Sequence, residues 1–308
     1  MKSLRLFLVV LVAFSVLFPA TIFAATKIKK PVAKAPVVAI HKTTITRIDS
    51  TEIESKIRAH AYVVIDRSTG KILTEKNENV VWPIASTTKL MTAQIVLAKH
   101  IPANKIQAVL SSDNVGGAKL YIKNGDKFTT DDLFYSMIVG SANNAANALA
   151  RLSGLSRSAF VAAMNAKAKS LGLTSTVYVD PSGIDPANVS TPLELAKVAN
   201  LAFANPSIQK YASTPIRNVR VINTGSIKKI KSTNWMLTNP AYNNGIVVAG
   251  KTGYLQESNW NFVTALRPVN NDAKKELLIV VFGADSRAQS FVDAKELSSW
   301  AWNSYKWN

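Results

Sequence analysis

Strand-like apolar runs lie toward both ends of this 308-residue chain and helical patterns fill the middle. That order restricts the folds open to it. His60 to Asp66 and Lys71 to Lys76 read as two strands joined by Arg67-Ser68-Thr69-Gly70, a hairpin signal. Ile246 to Ala249 with its continuation, Asn261 to Leu266, and Glu276 to Phe282 read as three more strands near the other end. Between them, Thr129-Thr130-Asp131-Asp132 opens a helix with hydroxyl caps and acids in its first turn, where both are favoured. Helices are also expected over 51–59, 144–152, 158–171, 191–204 and 290–306. From Ser86 to Leu97 a further helix is apolar on nearly every face, so it is expected in the domain centre. The expected fold class is mixed α/β (α+β): one antiparallel sheet built from both chain ends, with a helical lobe inserted in its middle.

The chemistry is narrowed by what the chain lacks. There is no cysteine, which removes thiol nucleophiles, disulfides and zinc-thiolate sites. The three histidines, His41, His60 and His100, stand apart from the motifs described below. A Ser-His-Asp triad or a histidine-built metal site is therefore not expected. The formal net charge of +18 favours anionic partners such as acidic wall polymers. No nucleic-acid motif and no basic helix with aromatic platforms accompanies it, so nucleic acid is not an expected partner.

Much of the charge lies in the first fifty residues, where Asp49 is the sole acid. Lys2 and Arg5 precede the apolar run Leu6 to Phe18, which is broken by Ser15 and ended by Pro19. This is the order of a secretory signal peptide, expected over 1–24 with cleavage after Ala24. The run is short of the ~20 residues a spanning helix needs, although an uncleaved signal would tether the domain to the membrane. Residues 25–50, with spaced lysines and Pro31 and Pro36, are expected to be a basic linker. The folded domain, which holds the chemical motifs described below, is expected over 51–308. The expected location is the periplasm or the extracytoplasmic wall.

Three short motifs carry the chemistry. Ser86-Thr87-Thr88-Lys89 opens the apolar helix, and residues three apart share a helix face. A serine hydroxyl needs a base to become a nucleophile, and a lysine can serve once burial or a nearby cation lowers its pKa toward neutrality. Ser141-Ala142-Asn143 falls at a turn between two helices. A hydroxyl there can relay a proton, and an amide can grip a substrate peptide group through both donor and acceptor. Lys251-Thr252-Gly253 leaves a strand, where a lysine and a threonine can bind a substrate carboxylate. Lys251 is also expected to help depress Lys89. Gly253 admits a ligand backbone, and the N–H groups of Tyr254 and Ser86 can form an oxyanion hole. Ser112-Asp113-Asn114 matches the second motif more literally, but it precedes Val115-Gly116-Gly117 rather than a helix. It is read as a loop.

Together and in this order, S-x-x-K, S-D-N and K-T-G are the signature of penicillin-binding proteins and class A β-lactamases, with Ser141-Ala142-Asn143 in the place of the second. With Asp66 to Leu73, Asp180-Pro181-Ser182-Gly183-Ile184-Asp185, Ser190-Thr191-Pro192 and Tyr254, the chain resembles the low-molecular-weight penicillin-binding proteins of the D-alanyl-D-alanine carboxypeptidase type. The resemblance implies a serine β-lactamase-like transpeptidase fold and no metal or cofactor. It implies that Ser86 forms the acyl-enzyme, that Lys89 is the base and that Ser141 completes the relay. Asn143, Lys251, Thr252, Gly253 and Tyr254 would bind substrate. The implied partners are wall peptides ending in D-Ala-D-Ala, with β-lactams as covalent inhibitors. Ala142, Leu255 and Trp260 depart from the usual pattern, which bears on the rim of the pocket.

Three other activities share these motifs: a DD-endopeptidase that cuts wall cross-links, a β-lactamase, and a non-catalytic β-lactam sensor. A class A β-lactamase needs a deacylating glutamate after the second motif. The first glutamate after Ser141 is Glu194, at a helix start with a structural reading. The aromatic group Trp300, Trp302, Tyr305 and Trp307 is expected to pack the last helix onto the sheet.

Overall fold

A computed structural model describes residues 44–308; the expected signal peptide and most of the expected linker lie outside the described residues. Its sheet joins strands from both ends of the domain, as expected. β2 (Ala61–Asp66) and β3 (Ile72–Lys76) come from the front, and β10 (Gly245–Leu255), β11 (Asn259–Pro268) and β12 (Leu277–Ala284) from the back. The order is β10-β11-β12-β2-β3 and every pairing is antiparallel.

Strand residues alternate between two buried faces. Ala61, Val63, Val263, Leu278 and Val280 point into the helical lobe. Tyr62, Val64, Phe262, Ile279 and Val281 point to the opposite face, which is covered by α7 (Arg287–Ser304) through Phe291, Ala294, Leu297 and Ala301. Burial on both faces is why β12 is apolar without alternation. The lobe contains α1 (Lys89–Leu97), α2 (Thr130–Ile138), α3 (Asn143–Leu152), α4 (Arg157–Ser170), α5 (Pro192–Ala204) and α6 (Pro206–Ala212). Short antiparallel pairs stitch its rim: β4 (Trp82–Pro83) with β7 (Val189–Ser190), β5 (Ile106–Ala108) with β6 (Lys127–Thr129), and β8 (Ile216–Arg220) with β9 (Ile227–Lys231).

Four expectations change. The helix expected over 51–59 is a single 3-10 turn, Glu54–Lys56; Ile53, Ile57 and Ala59 are instead buried one by one against the sheet. The last helix stops at Ser304, and Tyr305–Trp307 continues as β13, which pairs with β1 (Ile45–Arg47). β1 lies inside the stretch read as linker, so ordered structure reaches back to at least Thr44. A three-residue strand with one buried side chain has no readable period, and its partner is at the other end of the chain. Finally, Ser86 sits in a 3-10 turn, not in the α-helix. The C-terminal aromatics do pack: the Trp300 indole donates to Thr51 O at 2.8 Å and the Trp307 indole to Asp66 Oδ2 at 2.7 Å. Among the described residues, no helix is long and apolar enough to cross a membrane.

Candidate active site

Ala85–Thr88 forms a 3-10 turn that runs directly into α1. Side chains three apart eclipse in such a turn, so the tight winding brings the Lys89 amine to the Ser86 hydroxyl. Lys89 Nζ donates to Ser86 Oγ at 2.7 Å, to Asn143 Oδ1 at 2.7 Å and to Ser182 O at 2.5 Å. The turn begins at Ala85 with φ 48°, in the left-handed region that ordinary side chains avoid. It is clamped from outside by the Asp180–Gly183 turn. Gly183 has φ +77°, and a Cβ there would lie 2.0 Å from Ala85 O, so only glycine fits. Buried Asp180 braces this clamp by accepting from the N–H groups of Ser182, Gly183 and Asp185 and from Asn188 Nδ2.

Burial pulls the Lys89 pKa from 10.5 down to about 7, against an opposing pull from the Asp180 charge. A neutral amine is therefore available near neutral pH to take the serine proton. Repulsion between Lys89 and Lys251 is mutual and disfavours the charged form of each. Lys251 is itself held well below its ordinary value, first by burial and then by repulsion from Lys89 and Arg287.

Ser141 links α2 to α3 and holds φ 58°. Its hydroxyl accepts from Lys251 Nζ at 2.9 Å, and the same amine donates to Thr252 O at 2.7 Å. Lys251 is 1% exposed and reaches Ser141 rather than the cleft surface where a substrate carboxylate was expected to meet it. Asn143 also differs from expectation. Its acceptor takes the Lys89 proton donor, and one amide hydrogen goes to Gly116 O at 2.9 Å. One N–H remains for a ligand. Ser112-Asp113-Asn114 lies apart: Ser111–Asp113 is a 3-10 turn, and Asp113 pairs with Arg151 and accepts from Leu110 N.

Strand β10 forms the opposite wall. A Cβ on Gly253 would lie 2.9 Å from Ile84 O and 3.3 Å from Ser86 N, so glycine lets the strand pass hard against the nucleophile's turn. The resulting cleft encloses about 260 Å³. Ser86, Ser141, Asn143, Thr252, Gly253 and Tyr254 all line it. Tyr254 and Trp260 stack at 4.3 Å along its rim, where the motif departures had suggested a changed pocket. Two further lining residues, Thr233 and Arg287, escaped the sequence reading. Thr252 Oγ1 donates to Thr233 Oγ1 at 2.7 Å, and Arg287 Nη2 donates to Thr233 O at 2.7 Å. Thr233 belongs to no motif. Arg287 did leave a signal, since a cation in the first turn of a helix opposes the helix dipole.

Glu194 does not line the cleft. Its carboxylate accepts from Thr174 N at 2.8 Å and Thr176 Oγ1 at 2.6 Å, bracing the loop before α5. Among the described residues, no three His, Cys, Asp or Glu side chains are grouped to hold a metal ion.

Residues 48–286 match the family model described as D-alanyl-D-alanine carboxypeptidase. The chain is 30% identical over 250 residues to a D-alanyl-D-alanine endopeptidase of Pseudomonas aeruginosa, covering 80% of this chain and 78% of that one. It is 27% identical to the D-alanyl-D-alanine carboxypeptidase DacF of Bacillus subtilis, covering 80% and 63%. Among solved structures, the Streptomyces K15 DD-transpeptidase superposes with a TM-score of 0.72 at 29% identity, over 80% of this chain and 98% of that one. The protein therefore belongs to the D-alanyl-D-alanine carboxypeptidase family of serine peptidases.

Proposed function

We propose that this protein is a serine-type D-Ala-D-Ala carboxypeptidase that trims the terminal D-alanine from wall stem peptides. The observation that carries the reading is the contact between Ser86 and a buried lysine whose pKa lies near 7. Ser86 Oγ attacks the carbonyl carbon of the penultimate residue while its proton passes to Lys89. The Ser86 and Tyr254 N–H groups receive the oxyanion. As the C–N bond breaks, the leaving amine takes the proton that Lys89 received, relayed through the Ser141 hydroxyl, which Lys251 orients. Water then cleaves the ester, with Lys89 again accepting a proton. Asn143 offers its remaining N–H to the substrate backbone. Thr252, Thr233 and Arg287 form the polar corner suited to a terminal carboxylate, because Arg287 is the one cation among the described residues that line the cleft.

With Glu194 committed to its loop, no carboxylate among the described residues lines the cleft to drive fast deacylation of a β-lactam. Penicillin is therefore read as a lasting adduct, not a substrate. An exported location follows from the charged and apolar order of residues 1–24.

A second reading is favoured by one comparison. The chain is 30% identical to the Pseudomonas endopeptidase over 250 residues and 27% identical to the Bacillus carboxypeptidase over 254. The same machinery would then cut a cross-link, with the amine of a neighbouring stem as leaving group. Incubation with pentapeptide monomers and with cross-linked dimers separates the two. Free D-alanine from monomers supports the carboxypeptidase, and conversion of dimers to monomers without it supports the endopeptidase. Neither product, with no penicillin adduct on Ser86, would sink both.

A further inference from the structure

Between Glu194 and Glu257 the chain contains no acid and eight bases. Five of them, Arg217, Arg220, Lys228, Lys229 and Lys231, lie on the β8–β9 hairpin. Arg217 is neutralised by Asp131 and Asp132 and stacks on Tyr135. The other four form no ion pair among the described residues.

Strand alternation sorts the hairpin into two faces. Val219 and Ile230 are buried on the inner face, and Ile230 packs on Gly140, next to Ser141. The outer face carries Ile216, Asn218 and Arg220 opposite Lys231, Lys229 and Ile227, all six exposed. Lys231 stands two residues before the cleft residue Thr233, ~7 Å along an extended chain. Lys127 extends the cationic surface at the far end, where its backbone pairs with Ile222 and Asn223. A cationic strip thus starts at the cleft rim and leads away from it, although nothing in the fold requires these charges together. Each of the three cations on the outer face stands opposite an uncharged residue, Arg220 opposite Ile227, Lys229 opposite Asn218 and Lys231 opposite Ile216, so the face offers spaced positive charges that complement an anionic partner.

We propose that the outer face of this hairpin docks the carboxylate-bearing peptide stems that neighbour the one being cut, holding the polymeric wall substrate beside the cleft. The proposal rests on the peptidase reading above. Stems on one polymer recur beside the reacting one and carry free carboxylates, which suit lysine and arginine side chains spaced along a strand.

The test is the triple variant R220Q/K229Q/K231Q, which leaves the cleft and both buried hairpin residues intact. Binding to sacculi freed of phosphate-containing polymers should weaken about tenfold, the sum of three exposed ion pairs of ordinary strength. The wild-type interaction should fade as salt rises. Hydrolysis of the small peptide diacetyl-Lys-D-Ala-D-Ala, or of a short soluble cross-linked dimer, should keep its kcat/KM. Unchanged sacculus binding in the variant would overturn the proposal. So would an equal loss on the small substrates, which would mark general steering of anions. Loss of binding to phosphatidylglycerol vesicles alone, with sacculi unaffected, would assign the strip to a lipid surface and overturn it too. A wild-type protein that cuts neither small substrate would instead refute the peptidase reading.

Discussion

Replacing Lys89 by methionine, similar in length but uncharged, should remove the base and change how stability depends on pH. Folded Lys89 holds its proton only below about pH 7, whereas the unfolded chain holds it up to 10.5. Between those limits the unfolded state carries one more proton at this site. Stability therefore rises with pH there, by ~1.4 kcal/mol per pH unit. Below pH 7 the buried ammonium costs the fold the whole difference, ~5 kcal/mol, and above pH 10.5 it costs nothing. Methionine abolishes this slope. It also leaves Asn143 Oδ1 and Ser182 O without their donor, an offset that does not vary with pH. Lys251 is present in both proteins, and its own slope cancels to first order. Lys89 is half protonated at pH 7, so urea unfolding of both proteins at pH 7 and pH 9 should show wild type gaining ~2 kcal/mol on the variant over that interval. Acylation by penicillin should fall by roughly 10²–10⁴-fold, the usual worth of a positioned general base. Parallel stability curves would refute the argument, because they would mean that Lys89 keeps an ordinary pKa in the folded protein.

Acylation of wild type should accelerate about tenfold per pH unit below pH 7 and level off above it, as the neutral amine becomes the main form; stopped-flow labelling that does not vary with pH would count against Lys89 as base. Gly183→Ala should destabilise the domain by roughly 3 kcal/mol or more, since its Cβ meets Ala85 O at 2.0 Å and its φ is +77°; an unchanged melting temperature would show that the clamp yields. Asp180→Ala leaves three backbone N–H groups and Asn188 without their acceptor, and chemical unfolding should register a loss of about 4 kcal/mol or more. Arg287→Leu should raise KM for a peptide with a free terminal carboxylate by roughly 10–100-fold, the worth of one charged hydrogen bond, while penicillin still labels Ser86. An unchanged KM would remove Arg287 from substrate binding.

The local pattern carried much of the architecture. Apolar runs at both ends of the chain and capped helices between them are short-range features, and each is readable from a few adjacent residues. The motif serines and lysines were readable for the same reason: Ser86 and Lys89 lie within one turn, and a buried lysine in an apolar helix stands out. β1 and β13 were not readable, because neither has a period and each exists only through the other. Thr233 was also out of reach, and Arg287 showed only as a cation misplaced in a helix's first turn. Their roles arise where the end of a hairpin and the start of a distant helix meet at β10.

What the sequence determined by itself was the inventory: a serine with a lysine three residues on, a second serine-asparagine pair, a lysine-threonine-glycine strand, and the strands that hold them. Only the tertiary structure decided how those groups divide the work. Lys251 faces Ser141 rather than the cleft, Asn143 is committed to Lys89 and Gly116, and Arg287 becomes the cation that lines the cleft. The physical reason is that a pKa, a free donor and access to substrate belong to surroundings, and those surroundings are assembled from segments 27, 54 and 110 residues apart.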